Sequence, residues 1–326
     1  MKIITEAHIK KFLNFIESHD FFYIISHKEP DGDAIFSSLA MGALLKAKGK
    51  KYKLLSAGPF KRAEIRSFAE QFSSSTGAIL DENQTKTALL VLDCSEAERF
   101  GEIEGDIKNL EQFVVDHHKT SNETENSIID PSAPATACIV QQLYEKTVGA
   151  IPKEVAEWLF TGLSTDTGYF RFLKEDSAEV FKQASRLVEA GVNPKATYDM
   201  ISGGKAYSTR KLLGVLLSRT TRKCNGKLAV TYETQTDSKR FGQEGRDSDA
   251  LYSLLLAVEG VEAVLFVRQD TETTCTAGLR SRDVLDVSAI AAQFGGGGHK
   301  NAAGLSVEGK PRDVIRAIVQ EFKKVI

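Results

Sequence analysis

Apolar and polar positions follow two periods along the chain. Short runs of β-branched and other apolar residues predict strands over 22–26, 52–56, 89–93, 113–116 and 128–130. Between them, apolar residues spaced three and four apart predict helices over 34–47, 63–72, 136–147, 153–164 and 178–190. Strands that are apolar throughout, alternating with helices, imply an α/β fold with a doubly wound, mainly parallel sheet. Ligands of such sheets collect beyond the carboxyl ends of the strands. His27, Asp93 and Asp116 each stand at one of those ends, so one location is expected to gather them.

The pattern breaks twice after that. Gly191-Val192-Asn193-Pro194 stops a helix, and Gly203-Gly204-Lys205 makes a second interruption, with a short helical piece between. These breaks predict a first domain over 1–190, a linker over 191–208 and a second domain over 209–326. In the second, strands over 227–233, 263–269 and 274–280 mix with helices over 248–258, 287–294 and 312–324, giving a smaller mixed α/β domain.

Length and composition add boundaries to this picture. With 326 residues the chain can bury two cores. No apolar run approaches the roughly 20 residues of a membrane span, and residues 1–19 are amphipathic, unlike a signal peptide. Cys94, Cys138, Cys224 and Cys275 are scattered, as expected for reduced thiols of a cytoplasmic protein. Net charge is −2, which argues against a coat for long duplex nucleic acid. Residues 1–204 carry 23 Lys/Arg against 30 Asp/Glu, while 205–326 carry 19 against 14. An acidic part suited to cations thus precedes a basic part suited to anions.

Four groups of His and Asp close apolar segments: His27 with Asp31 and Asp33, then Asp93, then Asp116-His117-His118, then Asp166. Carboxylates and imidazoles without cysteines suit a hydrolytic centre with more than one divalent ion. Plainer readings exist for each group alone. Asp33 fits the N-cap of the following helix, with Gly32 bending the backbone between two acids. Asp93 and Asp166 fit ordinary turns. The adjacent imidazoles are harder to place structurally, because neighbours at a strand end point to opposite sides; Asp116 is expected to orient a ring. In the second half, Gly295 to Gly298 followed by His299 and Lys300 offers backbone N–H groups to an anion, or else makes a flexible loop. Arg280-Ser281-Arg282 places two guanidiniums at a strand end, suited to phosphate oxygens.

Together these motifs resemble the DHH phosphoesterase superfamily. All four N-terminal motifs have counterparts, and the run from Gly295 to Gly304 resembles the signature of its DHH-associated domain. Length and layout are similar to the nanoRNase group. The resemblance implies two Mn²⁺ ions, with Mg²⁺ as the alternative. His27 and Asp31 would hold one ion, Asp33, His117 and Asp166 the other, and Asp93 would bridge them. His118, oriented by Asp116, would contact the scissile phosphate. Arg280, Ser281, Arg282 and the loop Gly296-Gly297-Gly298-His299 would hold the nucleotide, with Arg99 a weaker phosphate contact. Where the family usually has a small residue after Asp-Ala-x, this chain has Phe36, which bears on the pocket wall or on helix packing.

The expected activity is hydrolysis of two- to five-nucleotide RNA and of 3′-phosphoadenosine 5′-phosphate. Partners are short RNA or small nucleotides, with neither membrane nor long duplex, and a homodimer is an open option. The alternative substrate is cyclic di-AMP or its linear product pApA. An inorganic pyrophosphatase would leave the Gly/Arg clamp without a use. A silent nucleotide-binding module would leave the six acidic and imidazole ligands without one.

Overall fold

A five-stranded parallel sheet frames the first of two units, Met1–Gly204 and Lys205–Ile326. The computed structural model describes residues 3–77, 86–121, 123–242, 247–282 and 284–326. The first unit runs α1 (Glu6–Glu17), β1 (Phe21–Ile25), α2 (Gly32–Ala47), β2 (Lys51–Leu55), β3 (Thr87–Leu92), β4 (Glu111–Asp116), β5 (Ser127–Ile129), α3 (Thr136–Thr147), α4 (Lys153–Asp166), α5 (Ala178–Glu189) and α6 (Pro194–Ser202). Strand order is β2-β1-β3-β4-β5, all parallel, so the order reverses between β1 and β3. Ligands of open α/β sheets bind at that reversal.

Alternation along the strands sends Phe22, Ile24, Leu90 and Leu92 into a core with α1 to α5, and Tyr23, Ile25, Leu89 and Val91 into a second core with Phe100 and Ile107. α2 is buried nearly all round, because α3 and α4 cover the side that the sheet does not. Residues 63–71 form a 3₁₀ helix, not the α-helix that the spacing predicts. The interval expected as a linker holds all of α6 and, from Tyr207, the start of the next helix. Phe36 lies in the α2 core, its ring edge-on to Phe68 at 5.0 Å between centroids. The departure from the family pattern therefore acts on helix packing.

The second unit contains α7 (Tyr207–Arg219), β6 (Thr221–Lys223), β7 (Leu228–Glu233), α8 (Gln235–Phe241), α9 (Ser248–Leu256), β8 (Ala263–Gln269), β9 (Thr274–Ser281), α10 (Val287–Ala292), β10 (Gly297–His299), β11 (Ala302–Glu308) and α11 (Pro311–Phe322). Its sheet has the order β10-β11-β9-β8-β7-β6 and is antiparallel except for the β7–β8 pair. α10 and α11 cover one face, and α7 and α9 cover the β7–β8 part of the other.

One polar anchor here yields a stability prediction. Asp237 caps α8 through Thr234 and receives two bonds from Arg219, at 2.6 and 3.2 Å. Burial opposes its ionisation, yet Arg219 and Thr234 hold the carboxyl down at about 2. A carboxyl depressed in the folded state stabilises above its unfolded pKa and loses that contribution as pH falls. Asp237→Asn should cost about 1–2 kcal/mol near neutral pH, allowing for solvent screening. Urea melts of the two proteins should converge as the pH approaches 2; a constant gap would refute the linkage.

Candidate metal centre

Three strand ends and one helix end converge on Asp93. β1 delivers His27, β3 delivers Asp93, β4 ends on Asp116 before His117 and His118, and α4 ends on Asp166. Asp93 is 2% exposed and sits at φ 61°, a left-handed conformation that Asp tolerates better than most residues. Its oxygens lie 3.5 Å from His27 Nε2, 3.4 Å from His117 Nε2 and 3.8 Å from His118 Nδ1, and one accepts the Thr136 hydroxyl at 3.0 Å. His117 Nε2 also lies 3.3 Å from Asp166. Ligand atoms of His27, Asp31 and Asp93 fall within 4.8 Å of one another, as do those of Asp33, His117 and Asp166, and those of Asp93, Asp116, His117 and His118.

The local details differ from the simplest sequence reading. Asp31, not Asp33, caps α2, accepting the Ala34 N–H at 3.1 Å. Asp33 is buried one residue into the helix and reaches across to the start of α3, whose own cap position, Ala135, has no side-chain acceptor. There it accepts Thr136 N–H at 2.5 Å and Ala137 N–H at 2.9 Å, together with the Ser37 hydroxyl at 3.0 Å. Gly32 is not a bend: a Cβ there would stand 2.5 Å from Thr165, so its bareness lets α2 approach α4 beside Asp166. The two imidazoles do not point to opposite sides. They follow β4 outside the strand, with ring centroids 4.5 Å apart. Asp116 Oδ1 accepts both of their backbone N–H groups, at 2.7 and 3.1 Å, and His118 Nδ1 at 2.7 Å, while Ser121 donates to Oδ2. Thr136 and Ser121 are site residues that the sequence reading missed; an isolated hydroxyl beside a motif carries little signal.

Protonation and burial favour a cation at this place. His27 Nδ1 donates to the Lys28 carbonyl at 2.9 Å and His117 Nδ1 to the Ala133 carbonyl at 3.2 Å, so each ring turns its Nε2 toward the carboxylates. His117 Nε2 is buried and, despite those neighbours, aligned with no hydrogen-bond partner. Burial opposes charge on His117, but Asp166 and Asp93 outweigh it and push its pKa up to about 12. Burial lifts Asp33 well above the usual carboxylate range, reinforced by repulsion from Asp93 and Asp166. Against its own burial, Asp93 is held well below that range by His117 and His27. Hard oxygen donors with two imidazoles, an orphaned buried nitrogen and mutually repelling acids fit divalent cations.

The residues expected to hold the nucleotide lie in the second unit, except Arg99. Arg99 ends a short 3₁₀ turn, and its carbonyl accepts the Lys28 N–H at 2.6 Å beside His27. Residues 297–299, expected as a loop, are strand β10. Ala302 of β11 stands opposite both His299 and Arg280, so these three share a sheet face. The adjacent row on that face is Gly297, Gly304 and Gly278, and a Cβ at Gly297 would meet nothing within 4 Å. The shelf is bare at Gly297 and Gly304, whereas a Cβ at Gly278 would collide with the Tyr252 hydroxyl; the Arg280 guanidinium lies 4.6 Å from the centre of that ring. Gly296 does not offer its N–H to an anion, since it bonds to the Ala291 carbonyl at 2.9 Å; Gly298 lies at φ 144° in the hairpin. Ser281 is buried, its hydroxyl donating to Leu285 and accepting from Asn301, and Arg282 turns to the Leu256 carbonyl at the end of α9.

Comparison with known proteins adds family information. Residues 21–163 match the DHH family, N-terminal domain, and residues 214–326 match the DHHA1 domain. A bifunctional oligoribonuclease and PAP phosphatase NrnA of Thermus thermophilus is 32% identical over 93% of this chain and 90% of its own. A probable manganese-dependent inorganic pyrophosphatase of Bacillus anthracis is 26% identical over 78% of this chain and 84% of its own. An exopolyphosphatase-related protein from Bacteroides fragilis superposes with TM-score 0.83 over 100% of this chain and 99% of its own, at 24% identity, and shows the shared fold. Among the described residues no helix is long and apolar enough to cross a membrane.

Proposed function

We propose, from the premise that this chain belongs to the DHH phosphoesterase family and to its oligoribonuclease and PAP phosphatase group, that it hydrolyses short oligoribonucleotides to mononucleotides and 3′-phosphoadenosine 5′-phosphate to AMP. It is a phosphoric ester hydrolase that uses divalent metal. The observation that carries the reading is the convergence of His27, Asp31, Asp33, Asp93, His117 and Asp166 around one buried carboxylate. We assign His27 and Asp31 to one Mn²⁺ and Asp33, His117 and Asp166 to a second, with Asp93 shared. When bound, such ions neutralise phosphate oxygens and lower the pKa of water.

The chain's own groups do the rest. The Asp116 carboxylate fixes the His118 ring through Nδ1 and both backbone N–H groups. That leaves His118 Nε2 to donate to the scissile phosphate from a ring that is 35% exposed, more open than His117 at 14%. Arg280 and His299, on the bare glycine shelf, are assigned to the substrate's further phosphate or base, with Ser281, Arg282, Gly296, Gly297 and Gly298 supporting that face. Arg99 is assigned to a phosphate near His27. Free Cys94, Cys138, Cys224 and Cys275 support a cytoplasmic setting. A homodimer remains the assembly to test, by sedimentation velocity.

A substrate panel with Mn²⁺ tests the reading. It compares a dinucleotide, a long RNA, 3′-phosphoadenosine 5′-phosphate, pApA, cyclic di-AMP and pyrophosphate. The first and third should lead, with shallow salt dependence from few phosphate contacts. Pyrophosphate or cyclic di-AMP in the lead would overturn it. Arg280→Ala should lower kcat/KM on nucleotides by about ten- to a hundredfold, the loss of one charge-assisted phosphate contact. A loss as large on bis-p-nitrophenyl phosphate would show a purely structural role.

A further inference from the structure

A cavity of about 370 Å³ opens directly beside the metal centre, within the size range of small-molecule sites. His117, His118 and Asp166 form one wall, and Pro131, Leu173 and Phe172 bring apolar surface to it. Phe172 is 61% exposed, and the Arg171 guanidinium lies 4.7 Å from its ring centre. One exposed aromatic is unremarkable by itself. Its placement is costly, however. Gly168, Tyr169 and Phe170 are three successive residues at φ 56°, 57° and 69°, a conformation that bulky side chains rarely adopt. The turn hangs on Thr167, next to Asp166: its hydroxyl accepts Phe170 N–H at 3.0 Å and its carbonyl accepts Phe172 N–H at 3.1 Å. A Cβ on Gly168 would stand 2.6 Å from the Phe172 ring, so the ring occupies space that only glycine leaves.

Tyr169 and Phe170 recover contact with Phe160, at 6.4 and 5.6 Å between centroids. Among the described residues Phe172 makes no such ring contact with the core, so core packing does not account for where this turn puts it. We propose that Phe172 is a specificity-determining residue that stacks a nucleobase of the substrate beside the scissile phosphate, with Arg171 backing the ring. This rests on the nucleotide-hydrolase reading above. Stacking is tolerant of base identity, because every base presents a π face. Phe172 therefore selects for the presence of a base and not for which base.

The test is a cycle between protein and substrate. Wild type and Phe172→Ala are assayed with Mn²⁺ on a diadenylate and on its two analogues lacking either base. Wild type should lose roughly five- to a hundredfold in kcat/KM when the stacked base is removed. Phe172→Ala should lose a similar factor on the intact dinucleotide, mostly in KM, and no more on that abasic analogue. Phe172→Trp should restore the loss; Phe172→Leu serves in the cycle if the alanine variant does not fold. Equal losses by Phe172→Ala on all three substrates, or a wild type indifferent to both deletions, overturns the proposal. A wild type that does not turn over diadenylate at all sinks the functional reading instead, and this inference with it.

Discussion

Asp93→Ala is expected to lower dinucleotide turnover at saturating Mn²⁺ by about three orders of magnitude or more, the equivalent of several kcal/mol of lost transition-state stabilisation. Asp93 faces His27 through one oxygen and His117 through the other, at 3.5 and 3.4 Å. No other carboxylate pairs with both of those imidazoles within 4.0 Å among the described residues. In the proposed shared role it cannot be replaced by raising metal concentration, because its loss would separate the two halves of the centre. The fold should survive. Removing one acid relieves the repulsion that Asp93 exerts on Asp33 and Asp166, which offsets the Thr136 hydroxyl left without its acceptor. Turnover, metal content by mass spectrometry and a thermal melt decide the matter together. More than a few per cent of wild-type turnover would refute the shared role.

Much of this centre was legible because its acidic and imidazole groups stand at strand ends, and strand ends follow from apolar runs. The apolar runs Phe21–Ile25, Ala88–Leu92 and Phe113–Val115 make up most of β1, β3 and β4, and they place His27, Asp93 and Asp116 just beyond them. What could not be read depended on contacts between distant segments. Gly32 is small for the sake of Thr165 in α4, and Asp33 completes α3 from the start of α2. β10 and β11 are rich in Gly and Ala, the weakest signals for a strand, and form through pairing with β9. Arg280 and Arg282 look equivalent in sequence, yet the strand ends at Ser281 and Arg282 turns to the end of α9. Local pattern thus locates a chemical group, while tertiary pairing decides which way it faces.

The same distinction separates the adjacent imidazoles, and it can be measured. His118→Ala should leave bound metal at the wild-type level and lower kcat by about two to four orders of magnitude, the span of a positioned proton donor. His117→Ala should instead lose metal, since His117 Nε2 is the buried nitrogen without a hydrogen-bond partner. Asp116→Asn extends the argument. The buried Asp116 Oδ1 accepts three donors from the His117–His118 segment, and Oδ2 takes the Ser121 hydroxyl. An amide can keep the backbone bonds on its oxygen but replaces Oδ2 with a donor facing a hydroxyl. It also lacks the charge that anchors the Nδ1 side of the His118 ring, so Nε2 loses its aim at the phosphate. Asp116→Asn should therefore lower kcat nearly as far as His118→Ala, and the double variant should be scarcely worse than either, because the two residues act as one unit. Additive losses in that cycle would mean that Asp116 supports the strand end independently of His118, and the assignment of His118 to the phosphate would lose its structural basis.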